Sequence, residues 1–198
     1  MNSWVAFRLG LLLVETGQTQ AHEILCEELL RSEVSSSPTA LKHSEFRDLR
    51  SLDLVVMTAC LRPPTEENLR LVRRLAVDAL WHALDTESNR SWFLMTKEFT
   101  SALVEYRAGN FDAAIAALEP LIPRLSPSAS VSAQAVLAMA KFKMVDEVSA
   151  LANFHAAESL FRENWFSEKR IALEGNPHDW LVADILLREA RGMLQGGK

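Results

Sequence analysis

Apolar residues recur every three or four positions along almost the whole chain, which is the spacing that places them on one face of an α-helix. Short polar runs, glycines and prolines interrupt this pattern, and each interruption predicts the end of a helix. The pattern therefore predicts about nine helices and no strand. Their approximate ranges are 4–14, 19–31, 49–59, 65–84, 91–108, 111–121, 129–144, 147–164 and 178–194.

The clearest interruption is the pair Pro63 and Pro64, which stops one helix because proline lacks the backbone N–H and clashes with the preceding turn. Thr65 and the acidic residues after it open the next helix, since a hydroxyl caps the first N–H groups and carboxylates favour the positive end of a helix. Gly109 ends a later helix in the way that a C-terminal glycine does.

Composition narrows the class of protein. Of 198 residues, 48% are hydrophobic and 24% are charged, with only seven glycines and seven prolines, which is typical of a globular chain with few sharp turns. The net charge of −5 disfavours nucleic acid as a partner, because phosphate binding needs a basic excess. The apolar stretch 5–14 is too short for a membrane span and lacks the pattern of a signal peptide. We expect a cytoplasmic protein that binds neither membranes nor cofactors.

Successive helices joined by short links predict stacked hairpins, which are built from internal repeats. The stretch 106–118 places Gly109 at a turn, Phe111 packing back on the hairpin and Ala114 as the small residue where the helices cross. Two weaker copies surround it. Gly10 and Gly17 have similar spacing upstream, with His22 at a position where alanine is expected. Downstream, Val145 stands at the turn position 36 residues after Gly109.

This pattern resembles the tetratricopeptide (TPR) repeat, a helix–turn–helix unit of about 34 residues. The resemblance implies an all-α fold, a right-handed α-α superhelix of helical hairpins in a single domain over 1–198. It implies repeats at about 3–34, 40–84, 91–125 and 129–164 and a capping helix at 178–195.

A narrower resemblance is carried by Glu105-Tyr106-Arg107-Ala108-Gly109, by Asp179-Trp180-Leu181 and by Leu187-Arg188-Glu189-Ala190. These phrases are similar to the C-terminal TPR region of large bacterial serine/threonine protein kinases. The glycine-rich loop and the other kinase motifs do not occur in the sequence, so no kinase residue is carried over. The resemblance implies an interaction module, and one alternative is a regulatory module that acts in trans on such a kinase or is detached from it.

In TPR proteins the first helix of each pair lines a concave face that binds peptides. The predicted function is therefore a non-catalytic scaffold for protein–protein interaction. Its predicted binding residues are Phe99, Leu103, Tyr106, Arg107, Met139, Phe142 and Lys143. Two alternatives stay open: the last helix covers these residues and fills the groove, and the chain forms a homodimer.

Candidate chemistry is sparse. The histidines are scattered without the spacing of metal ligands, so no metal site is predicted. His22 and Cys26 are four residues apart on one helix face and could form a base–nucleophile pair, but both occupy positions that the repeat assigns to packing. The five tryptophans could form an aromatic cage or pack in the core, and core packing is favoured. The tryptophans are Trp4, Trp81, Trp92, Trp165 and Trp180.

Overall fold

The computed structural model describes residues 2–35, 47–85, 91–165 and 177–196. These residues form nine α-helices and one 3₁₀ turn, and no strand occurs among them. The prediction of an all-α fold with about nine helices is confirmed. The described helices include none that is both long enough and apolar enough to cross a lipid bilayer. The predicted start of the second repeat, at residue 40, lies outside the described residues.

The helices are numbered in chain order, and the 3₁₀ turn lies between the sixth and the seventh. They are α1 (Ser3–Glu15), α2 (Thr19–Ser35), α3 (Arg47–Cys60), α4 (Glu66–Asp85), α5 (Ser91–Arg107), α6 (Phe111–Leu118), the 3₁₀ turn (Ile122–Arg124), α7 (Pro127–Lys143), α8 (Glu147–Trp165) and α9 (Pro177–Gly196).

Local capping explains several of these starts. Asn2 caps α1, because its Oδ1 accepts a hydrogen bond from the N–H of Trp4 at 2.9 Å. Thr65 caps α4 through a bond from the N–H of Asn68 at 3.3 Å, as the sequence predicts. α7 begins at Pro127, where a missing N–H costs nothing because the first N–H groups of a helix have no partner within it.

Three turns, each between helices consecutive in the chain, share one backbone geometry. Gly17, Gly109 and Val145 each lie two residues after a helix ends and two residues before the next begins. Their φ angles are 70°, 79° and 64°, in the left-handed region. After α1 the N–H of Gln18 donates to the carbonyl of Leu13 at 2.8 Å, and after α7 the equivalent bond joins the N–H of Asp146 to the carbonyl of Lys141 at 3.0 Å. Both turns therefore end their helix with the same left-handed C-terminal cap.

The chain divides into two compact units, Met1–Ala108 and Gly109–Lys198. In the first unit α3 is the central helix and packs against α1, α2, α4 and α5. Its Val56 and Cys60 are fully buried, together with Leu30 of α2 and Val72 of α4. These side chains form the core that holds the unit together, because burial of apolar surface is the main favourable contribution to folding.

In the second unit α7 occupies the centre and packs against α6, the 3₁₀ turn, α8 and α9. Eight of its 17 residues are alanine or serine, and 11 of the 17 are buried. Small side chains allow neighbouring helices to approach closely, so α7 is enclosed on several sides. The last helix, α9, packs on α7 and α8 and contributes the fully buried Trp180.

Candidate functional site

The predicted binding residues on α5 lie in the interior. Phe99, Leu103 and Tyr106 are buried, with at most 6% of their surface exposed, and Arg107 is half-buried. A peptide would reach these three side chains only after the surrounding helices had separated. The structure therefore places them in the core, and their role in peptide binding stays a prediction.

Arg107 has a structural contact that the sequence does not reveal. Its Nε donates a hydrogen bond to the carbonyl of Cys60 at 3.0 Å, and its guanidinium carbon lies 5.4 Å from the centre of the Tyr106 ring. Cys60 is the last residue of α3, and the final carbonyls of a helix have no partner within it. Arg107 thus supplies positive charge and a donor at the negative end of α3.

On α7 the predicted residues differ in exposure. Met139 is fully buried, Phe142 is half-buried and Lys143 is exposed. The reason is that α6, α8 and α9 surround α7, so few of its positions reach solvent. If the last helix covers the predicted binding face, α9 must pack against α7, and the two helices are in contact. Of the residues predicted on α7, Phe142 and Lys143 remain open to a partner.

His22 and Cys26 come together as their spacing on α2 predicts. His22 Nε2 lies 3.1 Å from the carbonyl oxygen of Thr58 on α3, and because a carbonyl only accepts, Nε2 carries the proton. The Cys26 sulfur lies 3.8 Å from His22 Nδ1 and 3.9 Å from the same Thr58 oxygen. The imidazole thus joins α2 to α3 at the position where the repeat pattern would have alanine.

The electrostatics of this pair favour packing over nucleophilic chemistry. Burial raises the pKa of the Cys26 thiol to about 12, and Glu23 and Glu27 act in the same direction. Burial lowers the pKa of His22, against the opposing effect of its hydrogen bond to Thr58. Both groups are therefore held neutral, whereas an active cysteine needs a stabilised thiolate.

A cavity of about 30 Å³ lies beside this pair and is lined in part by Arg62 and Asn68. This volume suits a single water molecule and is far below that of a metabolite site. In the part of the chain that the structure describes, no three His, Cys, Asp or Glu side chains gather as a metal-binding group. His43 lies outside that part.

One buried ion pair is missing from the sequence predictions. Lys97 Nζ on α5 lies 3.4 Å from Asp53 Oδ2 on α3, and the two side chains are only 1% and 12% exposed. Burial raises the pKa of the Asp53 carboxyl, and the nearby Lys97 ammonium opposes that shift. The sequence does contain a sign of this pair. Asp53 lies three residues before Val56 and seven before Cys60, so this charged residue falls on the buried face of α3.

Trp180, in the second unit, is a core residue, as predicted. Trp180 is 1% exposed, and its ring centre lies 5.8 Å from that of Phe161 and 6.3 Å from that of Trp165. Both are near-perpendicular contacts of the kind that aromatic rings favour. Trp4 is 39% exposed, so the prediction of core packing is wrong for this residue. The side chains of Trp81 and Trp92 lie outside the described residues.

Among the described residues, two groups of exposed large apolar side chains stand out. The first, the turn patch, surrounds the α7–α8 turn and consists of Met144, Val145, Val148 and Leu151. The second, the α1 stripe, consists of Val5, Leu9 and Leu12 on the outer side of α1. Clustered apolar side chains in water are unfavourable, and such surfaces commonly mark sites of protein interaction.

No protein-family model, curated protein or solved structure matches the chain. The resemblance to TPR proteins therefore rests on the residues, helix boundaries and turns described above. Function has to be argued from the exposed surfaces themselves.

Proposed function

We propose that this chain is a non-catalytic scaffold of TPR-like helical hairpins that binds a protein or peptide. The observation that carries the proposal is the turn patch. Val145 and Val148 are each 83% exposed, and Met144 and Leu151 adjoin them with more than a third of their surface in water. Covering such side chains is favourable by about 25 cal/mol per Å² of apolar surface removed from water.

The repeated turn supports the TPR-like part of the proposal. α1 packs on α2 and α7 packs on α8, and each pair is joined by a turn of the same left-handed geometry. Repeats of this kind stack through their neighbours and present extended surfaces for binding. A right-handed superhelix is the arrangement that the TPR resemblance implies.

The charges beside the turn patch indicate the chemistry of the partner. Phe142 and the exposed Lys143 precede the patch, and the exposed acidic residues Asp146 and Glu147 lie within it. One positive and two negative side chains leave a net charge of −1 beside the four apolar side chains of the turn patch, so apolar contact dominates the recognition. The partner that fits is an amphipathic helix or extended segment whose apolar side chains cover Val145 and Val148.

The test is capture of partners by the purified chain with a photo-crosslinker at position 151. Val148→Asp places a charge in the turn patch and should abolish capture, while Ala156→Asp places the same charge at another exposed position on α8 and should not. Circular dichroism should show both variants folded, because both side chains are exposed. Identical sets of captured proteins for the two variants would refute the proposal, as would a wild-type chain that captures nothing.

Substitutions at Phe99 or Arg107 are unsuitable for this test. Phe99 is buried, and truncating a buried phenylalanine to alanine costs about 3–5 kcal/mol. Arg107 holds the C-terminal end of α3 through the Cys60 carbonyl. Loss of binding in either variant would therefore report a damaged core.

A further inference from the structure

The α1 helix is apolar on two opposite sides. Its inner side buries Ala6, Phe7 and Leu11 in the first unit. Its outer side carries the α1 stripe, where Val5 is 56% and Leu12 is 59% exposed and Leu9 lies between them. An ordinary surface helix has a polar outer side, so the α1 stripe is unusual for a helix at the surface of its unit.

We propose that the α1 stripe packs antiparallel against the α1 stripe of a second copy of this chain. Val5, Leu9 and Leu12 are spaced by four and then three residues, which is the spacing of the seam between two paired helices. In an antiparallel pair, Leu9 of each copy lies opposite Leu12 of the other. A two-fold axis repeats this contact, as a symmetric dimer requires.

The charges beside the stripe fit this register. With Leu9 opposite the second copy's Leu12, the residue before Leu9 lies close to the residue three positions after Leu12. These residues are Arg8, which is exposed, and Glu15, which is half-buried. Each copy thus offers an arginine to the other copy's glutamate, and the two-fold axis produces two such pairs. Complementary flanking charges of this kind set the orientation of paired helices.

A parallel pair lacks this complementarity. In the parallel register Leu9 and Leu12 would face their own equivalents and Arg8 would lie beside the second copy's Leu13, so Arg8 and Glu15 would not meet across the seam, and the dipoles of the two helices would point in the same direction. The sequence therefore favours the antiparallel arrangement. This inference is independent of the proposed function, because it uses α1 in the first unit and not the turn patch in the second.

The size of the contact sets the expected affinity. A helix of 13 residues is about 20 Å long, so two copies bury less than the ~1,600 Å² of a standard interface. We expect a dimer that forms and dissociates with concentration in the micromolar range. Sedimentation equilibrium of the purified chain should give an average mass that rises from that of a monomer toward twice that value.

Leu12→Asp tests the stripe and should raise the dissociation constant at least about tenfold, because it buries a charge in the seam. Val148→Asp is the matched control, since it adds the same charge at an exposed valine of the turn patch. A wild-type chain that stays monomeric at millimolar concentration would overturn the proposal. So would a dimer that Val148→Asp disrupts and Leu12→Asp leaves intact.

A charge exchange tests the antiparallel register. Arg8→Glu and Glu15→Arg alone should each raise the dissociation constant about tenfold, because each replaces two ion pairs with two like-charge contacts. Mixing the two variants should restore dimers, since each of the two contacts then joins an acidic side chain of one variant to a basic side chain of the other. Mixed variants that associate no better than either variant alone would refute the register.

Discussion

At the residue scale, Val145 holds a backbone conformation that glycine adopts at the two comparable turns. Its φ of 64° lies beside 70° at Gly17 and 79° at Gly109. In this region a side chain crowds the backbone, which costs about 1–2 kcal/mol for an L-residue and is least suited to a branched one. The hydrogen bonds that close the turn, including that from Asp146 to Lys141, hold the valine there.

Val145→Gly should therefore raise the free energy of unfolding by about 1 kcal/mol. The valine is 83% exposed, so little packing is lost. Gly109→Ala is the reverse change at an equivalent turn and should lower the free energy by a similar amount. Urea unfolding followed by circular dichroism measures both. A destabilised Val145→Gly variant would show that the side chain contributes more than its backbone costs.

The Asp53–Lys97 pair is a second feature of this scale. Asp53→Leu leaves the buried Lys97 ammonium without this carboxylate and should destabilise the chain by about 3–5 kcal/mol. Lys97→Met leaves a buried carboxyl, whose cost is smaller because its pKa is already raised toward the neutral form. The double variant should regain most of the loss, since neither charge is then buried. Additive losses in urea unfolding would contradict this expectation.

His22 makes stability depend on pH. Its pKa in the folded chain is lowered from 6.5, so below about pH 6.5 the unfolded chain takes up a proton that the folded chain does not. The free energy of unfolding should therefore fall as the pH falls from about 7.5 to about 5.5. His22→Gln retains a donor for the Thr58 carbonyl without titrating, and its dependence on pH should be shallower. Equal slopes for wild type and variant would exclude His22 as the source.

At the element scale, the sequence predicts the existence of all nine described helices and misplaces some of their ends. Proline accounts for one case. α6 stops at Leu118 and not at residue 121, because Pro120 has no backbone N–H with which to continue the hydrogen bonds of the helix. α2 continues to Ser35, four residues beyond its predicted end at residue 31. The sequence shows where periodicity begins and ends, whereas the last turns depend on packing and capping.

The contact between α1 and α3 depends on Gly10. A Cβ atom at this position would lie 2.6 Å from Thr58 Cγ2, which is too close for two carbon atoms. Gly10→Ala should therefore destabilise the first unit by about 1–3 kcal/mol, as overpacked cores do. Thr58→Ser removes that methyl group and keeps the hydroxyl that donates to the Leu54 carbonyl.

Adding Thr58→Ser to Gly10→Ala should restore most of the lost stability, measured by the midpoint of urea unfolding. The Thr58→Ser variant alone is the control. A double variant as unstable as the sum of the single ones would place the strain elsewhere. Gly10 is thus the small residue that the repeat pattern predicts, and its close neighbour is a threonine on α3.

At the scale of the whole molecule, the sequence predicts the fold class well and the accessible surface poorly. α7 is built almost throughout from apolar and small residues, so periodicity gives no side that must face solvent. Phe99 and Tyr106 look like binding residues in a TPR register, and the structure buries both. The Asp53–Lys97 pair likewise joins helices distant in the chain, which a single sequence does not reveal.

The division into two units falls between Ala108 and Gly109, inside the turn between α5 and α6. The predicted repeat 91–125 therefore contributes one helix to each unit, although it carries the best match to the TPR pattern. Each unit has a central helix, α3 in the first and α7 in the second. Compactness and sequence repetition thus divide this chain at different places.

The enclosure of α7 has a consequence for hydrogen exchange. Its backbone lies among α6, α8 and α9, so water reaches its amide groups only when much of the second unit opens. In D₂O the amides of α7 should be the last of that unit to take up deuterium, as measured by peptide mass spectrometry. Faster exchange in α7 than in α8 would show that the centre of the unit opens before its surface. This helix would then be where the second unit begins to unfold.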